Sequence, residues 1–228
     1  MTAVRPGRPV TATAGAPAPA PALPRPGRLL PVAAIAAGPL FLASGLVQGL
    51  TRDGFDFSRN ALSQLALGDL GWIQTVTFLL TGALLIVGAV GTARTPHAGR
   101  WAPRLIGVFG ASFLLAAVFQ ADAGAGFPAG TPDARTATLS AHGAVHLLSG
   151  MIGYIALIAA FLVLARRFAA QDARGWALAT RLAAAGVLLG FAGSSFSVPA
   201  FTLGAGLGLV WLAALTVRLT SAPPAAED

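Results

Sequence analysis

Apolar residues gather into six long stretches, at 29–50, 72–93, 102–121, 141–165, 176–197 and 200–219, with the charged residues between them. Each is near the ~20 residues that a helix rising ~1.5 Å per residue needs to cross a ~30 Å hydrocarbon layer. The pattern predicts an all-α polytopic membrane protein with six transmembrane helices, the last two separated only by a tight turn at Val198-Pro199. Residues 1–28 carry proline–alanine alternation and four arginines without apolar periodicity, which predicts a disordered or polyproline-like tail. The expected plan is tail 1–28, transmembrane domain 29–220 and a short tail 221–228. The first stretch exceeds the about 7–15 residues of a signal-peptide core and follows a long leader, so it is read as a retained helix.

Composition agrees with this plan. Of 228 residues, 55% are hydrophobic and only 10% charged, and the mean hydropathy is +0.73, too apolar for a soluble domain. The net charge of +7 comes from fifteen arginines and no lysine. These arginines are scattered at the ends of apolar stretches and form no patch, which argues against nucleic acid as a partner and for a topology signal. With the N-terminus inside, Arg5, Arg8, Arg25, Arg28, Arg94, Arg100, Arg104, Arg166, Arg167, Arg174, Arg181 and Arg218 lie at the cytoplasmic face and only Arg52, Arg59 and Arg135 outside. Both termini are therefore expected to be cytoplasmic. The arginine, alanine, glycine and proline bias is that of a GC-rich bacterial genome, so the expected location is the bacterial plasma (inner) membrane, with membrane lipids as partners. Trp72, Trp101 and Trp176 stand at stretch ends, at headgroup level, and Trp211 is expected to pack between helices. The spacings Gly186/Gly190 and Gly204/Gly208 are read as close helix packing within the bundle.

Polar residues inside the stretches are unevenly placed. Gln48, Gln74, Thr77, Gln120, Asp122, His142, His146, Ser149 and Ser194 fall near the expected outer ends, whereas the inner halves hold few beyond Thr92, Ser112, Thr180 and Thr216. Polar groups in a bilayer are costly unless they face a partner, a cavity or water, so this asymmetry predicts an outward-facing polar pocket formed by the second to fifth helices. The candidate pocket residues are Asp122, His142, His146, Ser149, Gln120, Gln74 and Phe127. His142 and His146, four apart, share one helix face continued by Ser149, and Asp122 ends the preceding helix at similar depth. Without cysteine, a metal site must use histidine and carboxylate, which makes His142, His146 and Asp122 a possible zinc set. The same three could instead form an interhelical hydrogen-bond network or handle protons. His97, beside Pro96, carries no assigned role.

The connection 123–138 sets Gly124, Gly126 and Gly130 against Pro128 and Pro132 around Phe127, which suits either an ordered lid with Phe127 as plug or a plain ordered connection. The connection 52–71, with Phe55, Phe57, Leu62, Leu65 and Leu67 among polar residues, is expected to lie at the membrane interface as a short amphipathic helix.

Two blocks resemble a known family. Ser63-Gln64-Leu65-Ala66-Leu67-Gly68-Asp69-Leu70-Gly71-Trp72-Ile73-Gln74-Thr75 followed by Phe78 and Gly82 is one; Asp122, Gly126-Phe127-Pro128, Gly130-Thr131-Pro132, His142-Gly143 and His146 is the other. Together with the six-helix plan they resemble, over about residues 30 to 220, the bacterial membrane proteins grouped as domain of unknown function 998. The resemblance implies the fold and a membrane location and no activity. Family members tend to carry a charged turn before the last helix, where this chain has Ser197-Val198-Pro199-Ala200-Phe201, so no role of that turn is carried over.

The leading functional expectation is a non-enzymatic protein that binds a lipid headgroup or small amphiphile in the polar pocket. The alternatives are a metal-dependent intramembrane hydrolase of lipid esters or amides, using Asp122, His142 and His146, and a proton-coupled transporter. The apolar inner halves count against transport, which needs a hydrated path to both faces.

Overall fold

A computed structural model describes residues 30, 32–95, 98–133 and 139–221. The expectations for the 1–28 tail, for His97, for Arg135 and for most of the C-terminal tail lie outside the described residues. Six helices are long and apolar enough to cross a membrane: α1 Val32–Thr51, α2 Gly71–Thr92, α3 Trp101–Val118, α4 Ala141–Ala170, α5 Arg174–Ala192 and α6 Val198–Ser221. Every regular element among the described residues is helical, with short 3-10 turns at Leu62–Ala66 and Gly193–Ser195 completing the set. The protein is a multi-pass membrane protein.

The helices form a ring. Each packs against its neighbours in sequence and α6 closes on α1. Short connections account for the α2–α3, α4–α5 and α5–α6 neighbours, whereas α1–α2 and α3–α4 are joined by the long connections 52–70 and 119–140. Lipid supplies no hydrophobic drive for helix association, so close backbone approach matters more. At the α5–α6 contact a Cβ built on Gly190 would lie 2.8 Å from Gly204 Cα, the packing role expected of those glycines.

One end of the ring carries the start of α1, the end of α6 and the α2–α3 and α4–α5 connections, and is called the termini end; the other carries the α1–α2, α3–α4 and α5–α6 connections and is called the loop end. The ring is filled toward the termini by Leu85, Ile106, Leu157, Phe161, Leu164, Leu209, Leu212 and Leu215, all essentially without solvent contact. The few polar side chains there stay silent. Thr92, Thr180 and Thr216, like Ser112 in the cavity wall, each donate a hydroxyl to a carbonyl of their own helix at 2.7–2.8 Å. Trp211 packs between α5 and α6, its indole N–H donating to Thr180 Oγ1 at 3.3 Å and its ring against Trp176 at 5.8 Å.

Two helix ends differ from the apolar pattern. The backbone of Phe119 is extended, so α3 stops at Val118 and residues 119–121 leave the helix. At the other extreme α4 runs five residues beyond its apolar stretch to Ala170, where Asp172 takes a left-handed conformation and Ala173 N–H closes on Phe168 O at 2.9 Å.

The connection 52–70 is not an interfacial amphipathic helix. It turns inward and caps the ring, burying Leu65 and Ala66 in the 3-10 turn. The reason is polar: the Arg52 guanidinium donates to Leu65 O at 3.1 Å and Leu67 O at 2.6 Å and lies 5.2 Å over the Phe127 ring, drawing the segment down onto the second connection.

Candidate functional site

The site is built where the two connections meet the start of α4. Ser140 caps that helix, its Oγ accepting from Gly143 N–H at 3.0 Å. Asp122 approaches the same helix start, and its Oδ2 accepts from Ser140 N–H at 3.1 Å. A helix N-terminus is a favourable place for a carboxylate, because unpaired N–H groups and the helix dipole both point at it. Gly143 makes the approach feasible: a Cβ there would overlap Asp122 Oδ2.

One turn further, His146 reaches back across the ring. Its Nδ1 lies 2.8 Å from Phe119 O, and a carbonyl can only accept, so Nδ1 carries a proton, and in the neutral imidazole Nε2 keeps its lone pair. The contact repairs the broken end of α3, whose last carbonyls have no helical partner. His142, one turn earlier, is exposed and meets only the Phe119 ring among the ring contacts, at 5.4 Å. Ser149 donates to His146 O at 2.9 Å and is buried.

Asp122, His142 and His146 therefore do three different jobs. Among the described residues no three histidine, cysteine or acidic side chains come together as a set that could hold a metal ion. Asp122 Oδ2 and His146 Nδ1 are each engaged by a backbone group, and His142 is exposed, so the described residues offer the zinc expectation no ready three-ligand cluster.

A cavity of about 520 Å³ opens from mid-bundle to the loop end, and all six helices contribute to its wall. Its deep part is aromatic, with Phe41, Phe78, Phe109, Phe113, Tyr154, Phe191 and Phe201. Polar side chains in the wall include Ser63, Gln64, Asp122, His146, Ser194 and Ser195, from the cap, the start of α4 and the α5–α6 turn, with Ser112, Tyr154 and Thr202 among the aromatic residues. Leu139, Leu147 and Met151 line the cavity while also standing exposed on the outer surface, so its mouth lies beside the first half of α4.

Of the seven residues expected in a pocket, Asp122 and His146 line the cavity; Gln74, Gln120, Phe127, His142 and Ser149 do not. Gln120 donates to Ala66 O at 3.0 Å and ties the cap to α3. Phe127 is buried, but it is a keystone between the connections and not a plug, held edge-on by Phe55 at 5.2 Å and covered by Arg52. Gln74 belongs to a separate buried cluster between α1 and α2: Gln48 Nε2 donates to Gln74 Oε1 at 2.7 Å and to Ser44 Oγ at 3.0 Å, and Ser44 Oγ meets Thr77 Oγ1 at 2.8 Å.

Asn60 and Gln64 carry no assigned role in the hydrophobic and polar pattern of the chain. Asn60 is buried, accepting from Asp56 N–H at 2.9 Å and donating to Ala125 O at 3.2 Å. Gln64 accepts from Ala61 N–H at 3.1 Å and donates to Asp122 O and Gly124 O, both at 3.3 Å, which locks the 3-10 turn to the segment that carries Asp122. The only available signal was the presence of Gln64 in the family-like block.

A family model described as "Protein of unknown function (DUF998)" matches residues 35–218, most of the chain. The chain belongs to the DUF998 family. Neither a curated protein nor a solved structure matches it. The match spans both connections, so the cap, the Asp122–Ser140 contact and the cavity lie within the DUF998 region.

Proposed function

We propose that this DUF998 protein binds one small amphiphile in the loop-end cavity, in a bacterial inner membrane, with both termini cytoplasmic and the polar end of the cavity at the outer leaflet. The supporting observation is the gradient along one cavity: aromatic walls at depth and polar side chains near the loop end, in a volume of about 520 Å³. That volume suits one drug-sized or single-chain molecule. A mouth flanked by exposed Leu147 and Met151 suits entry of an apolar chain from the surrounding lipid. The arginine distribution, twelve against three, supports the orientation.

The other readings have less behind them. Metal-dependent hydrolysis lacks a three-ligand cluster among the described residues. Transport needs a second opening, and the termini half of the ring is packed by leucines, Ile106 and Phe161.

The test is native mass spectrometry of the purified chain beside Gly150→Phe. Gly150 lines the cavity, and a Cβ there has no neighbour within 4 Å, so the added side chain starts into open space at the cavity wall. The expected result is a bound amphiphile on the parent protein that is lost from the variant; equal retention by both would overturn the proposal.

A further inference from the structure

The polar end of the cavity is built from acceptors. Asp122 contributes a carboxylate, and His146, its Nδ1–H committed to Phe119 O at 2.8 Å, contributes the Nε2 lone pair. Gln64 adds no donor, since its amide nitrogen donates to Asp122 O and Gly124 O and its oxygen accepts from Ala61 N–H. The serines can donate or accept. Among the described residues Asp122 is the one charged side chain in the wall, and no arginine lines the cavity. Two arginines described on the cap are already engaged: Arg52 with Leu65 O, Leu67 O and the Phe127 ring, and Arg59 with Asp56 at 3.2 Å and Asp133 at 3.0 Å.

A phosphate or carboxylate head would meet a like charge and a lone pair here, with no cation in the wall among the described residues to compensate. A protonated amine would meet both as hydrogen-bond partners. We propose that the cavity selects an amphiphile with a cationic, hydrogen-bond-donating head, a primary amine on a single apolar chain, over anionic-headed lipids. This rests on the reading that the cavity binds an amphiphile at all, and it assigns the head to Asp122 and His146 and the chain to the aromatic wall.

The experiment uses the full chain in phosphatidylcholine nanodiscs and three C12 probes, dodecylamine, dodecanol and dodecanoate, each with a diazirine at the chain end. Photolabelled peptides are mapped, and specific labelling is that competed by excess unlabelled amphiphile. The expected result is competable labelling of residues 109–116 and of Tyr154, half-saturating for the amine at a concentration about tenfold or more below that for the carboxylate, with the alcohol between them. Asp122→Asn, whose side chain can still accept from Ser140 N–H, is expected to remove the amine's advantage; should that variant fail to fold, the ranking on the parent protein decides. Equal cavity labelling by all three probes, a preference for the carboxylate, or an unchanged amine preference in Asp122→Asn would overturn the inference and leave amphiphile binding standing. Labelling confined to lipid-facing positions such as Leu189, with nothing competed in the cavity, would overturn both.

Discussion

Single residues at the loop end act through backbone groups more than through one another. Asp122 and Ser140 serve the start of α4, and His146 serves the end of α3. Gly143 is the position on which this depends, and Gly150, seven residues on, supplies a control. Gly143→Ala is expected to push the Asp122 carboxylate off the helix start and to destabilise the protein by roughly 1–3 kcal/mol, the usual cost of overpacking a filled site. Gly150→Ala meets open space and removes a helix-interior glycine, so it is expected to be neutral or stabilising by up to about 1 kcal/mol. Thermal unfolding of both variants in detergent checks the contrast, and a Gly143→Ala protein as stable as its parent would refute it.

Asp56 is a second residue-scale case, on the exposed side of the cap. Its carboxylate accepts from the Ser58 hydroxyl at 2.6 Å and Ser58 N–H at 2.8 Å and pairs with Arg59, which holds its pKa below the ordinary carboxylate value. A depressed folded-state pKa means that the contribution is present at neutral pH and is lost as pH falls through that lowered value. Protection of the amides of residues 55–60 from exchange, corrected for the intrinsic rate at each pH, is therefore expected to hold from neutral to mildly acid pH and to fall only in strong acid. In Asp56→Asn the exchange should be insensitive to pH, after correction for its intrinsic rate.

At the scale of elements, the α1–α2 contact shows how helices associate in lipid. Gln48 and Gln74 share one strong hydrogen bond at 2.7 Å, yet Gln48 Oε1 and Gln74 Nε2 are buried with no partner among the described residues. An unpaired buried polar atom costs more than a hydrogen bond gains. Either Gln48→Met or Gln74→Met alone is thus expected to destabilise by about 1–2 kcal/mol, while the double variant should recover most of that loss. A double-mutant cycle by thermal unfolding measures this, and simple additivity would contradict it. The glutamines were visible in the sequence as polar positions at one end of two stretches. Their pairing was not, because it depends on the rotation of α1 against α2, which periodicity leaves undetermined.

For the whole molecule, the closed ring of six helices makes the cavity a shared property of all of them. Its orientation is open to direct test because the chain has no native cysteine. Ser195→Cys, on the exposed turn between α5 and α6, is expected to react with a membrane-impermeant thiol reagent added outside intact bacterial cells. Thr95→Cys, after α2 at the opposite end, is expected to react only after permeabilisation. The reverse pattern would invert the proposed topology and turn the cavity toward the cytoplasm.

The sequence by itself determined the membrane class, the number and approximate limits of the helices, and the crowding of polar groups toward one end. These follow from chain length, local periodicity and the cost of polar atoms in hydrocarbon, all of which are written along the chain. Only the tertiary structure decided what the polar groups do. The i, i+4 spacing of His142 and His146 pointed to a shared ligand, yet the early end of α3 sets Phe119 O beside one ring while the other turns outward. The hydrophobic residues of 52–71 read as an amphipathic surface helix, yet Arg52, Asn60 and Gln64 find carbonyl partners near their own segment or more than fifty residues away and fold it into a cap. A hydrogen bond is specified by where two distant backbones meet, and that meeting is a property of the packed ring and not of any one stretch.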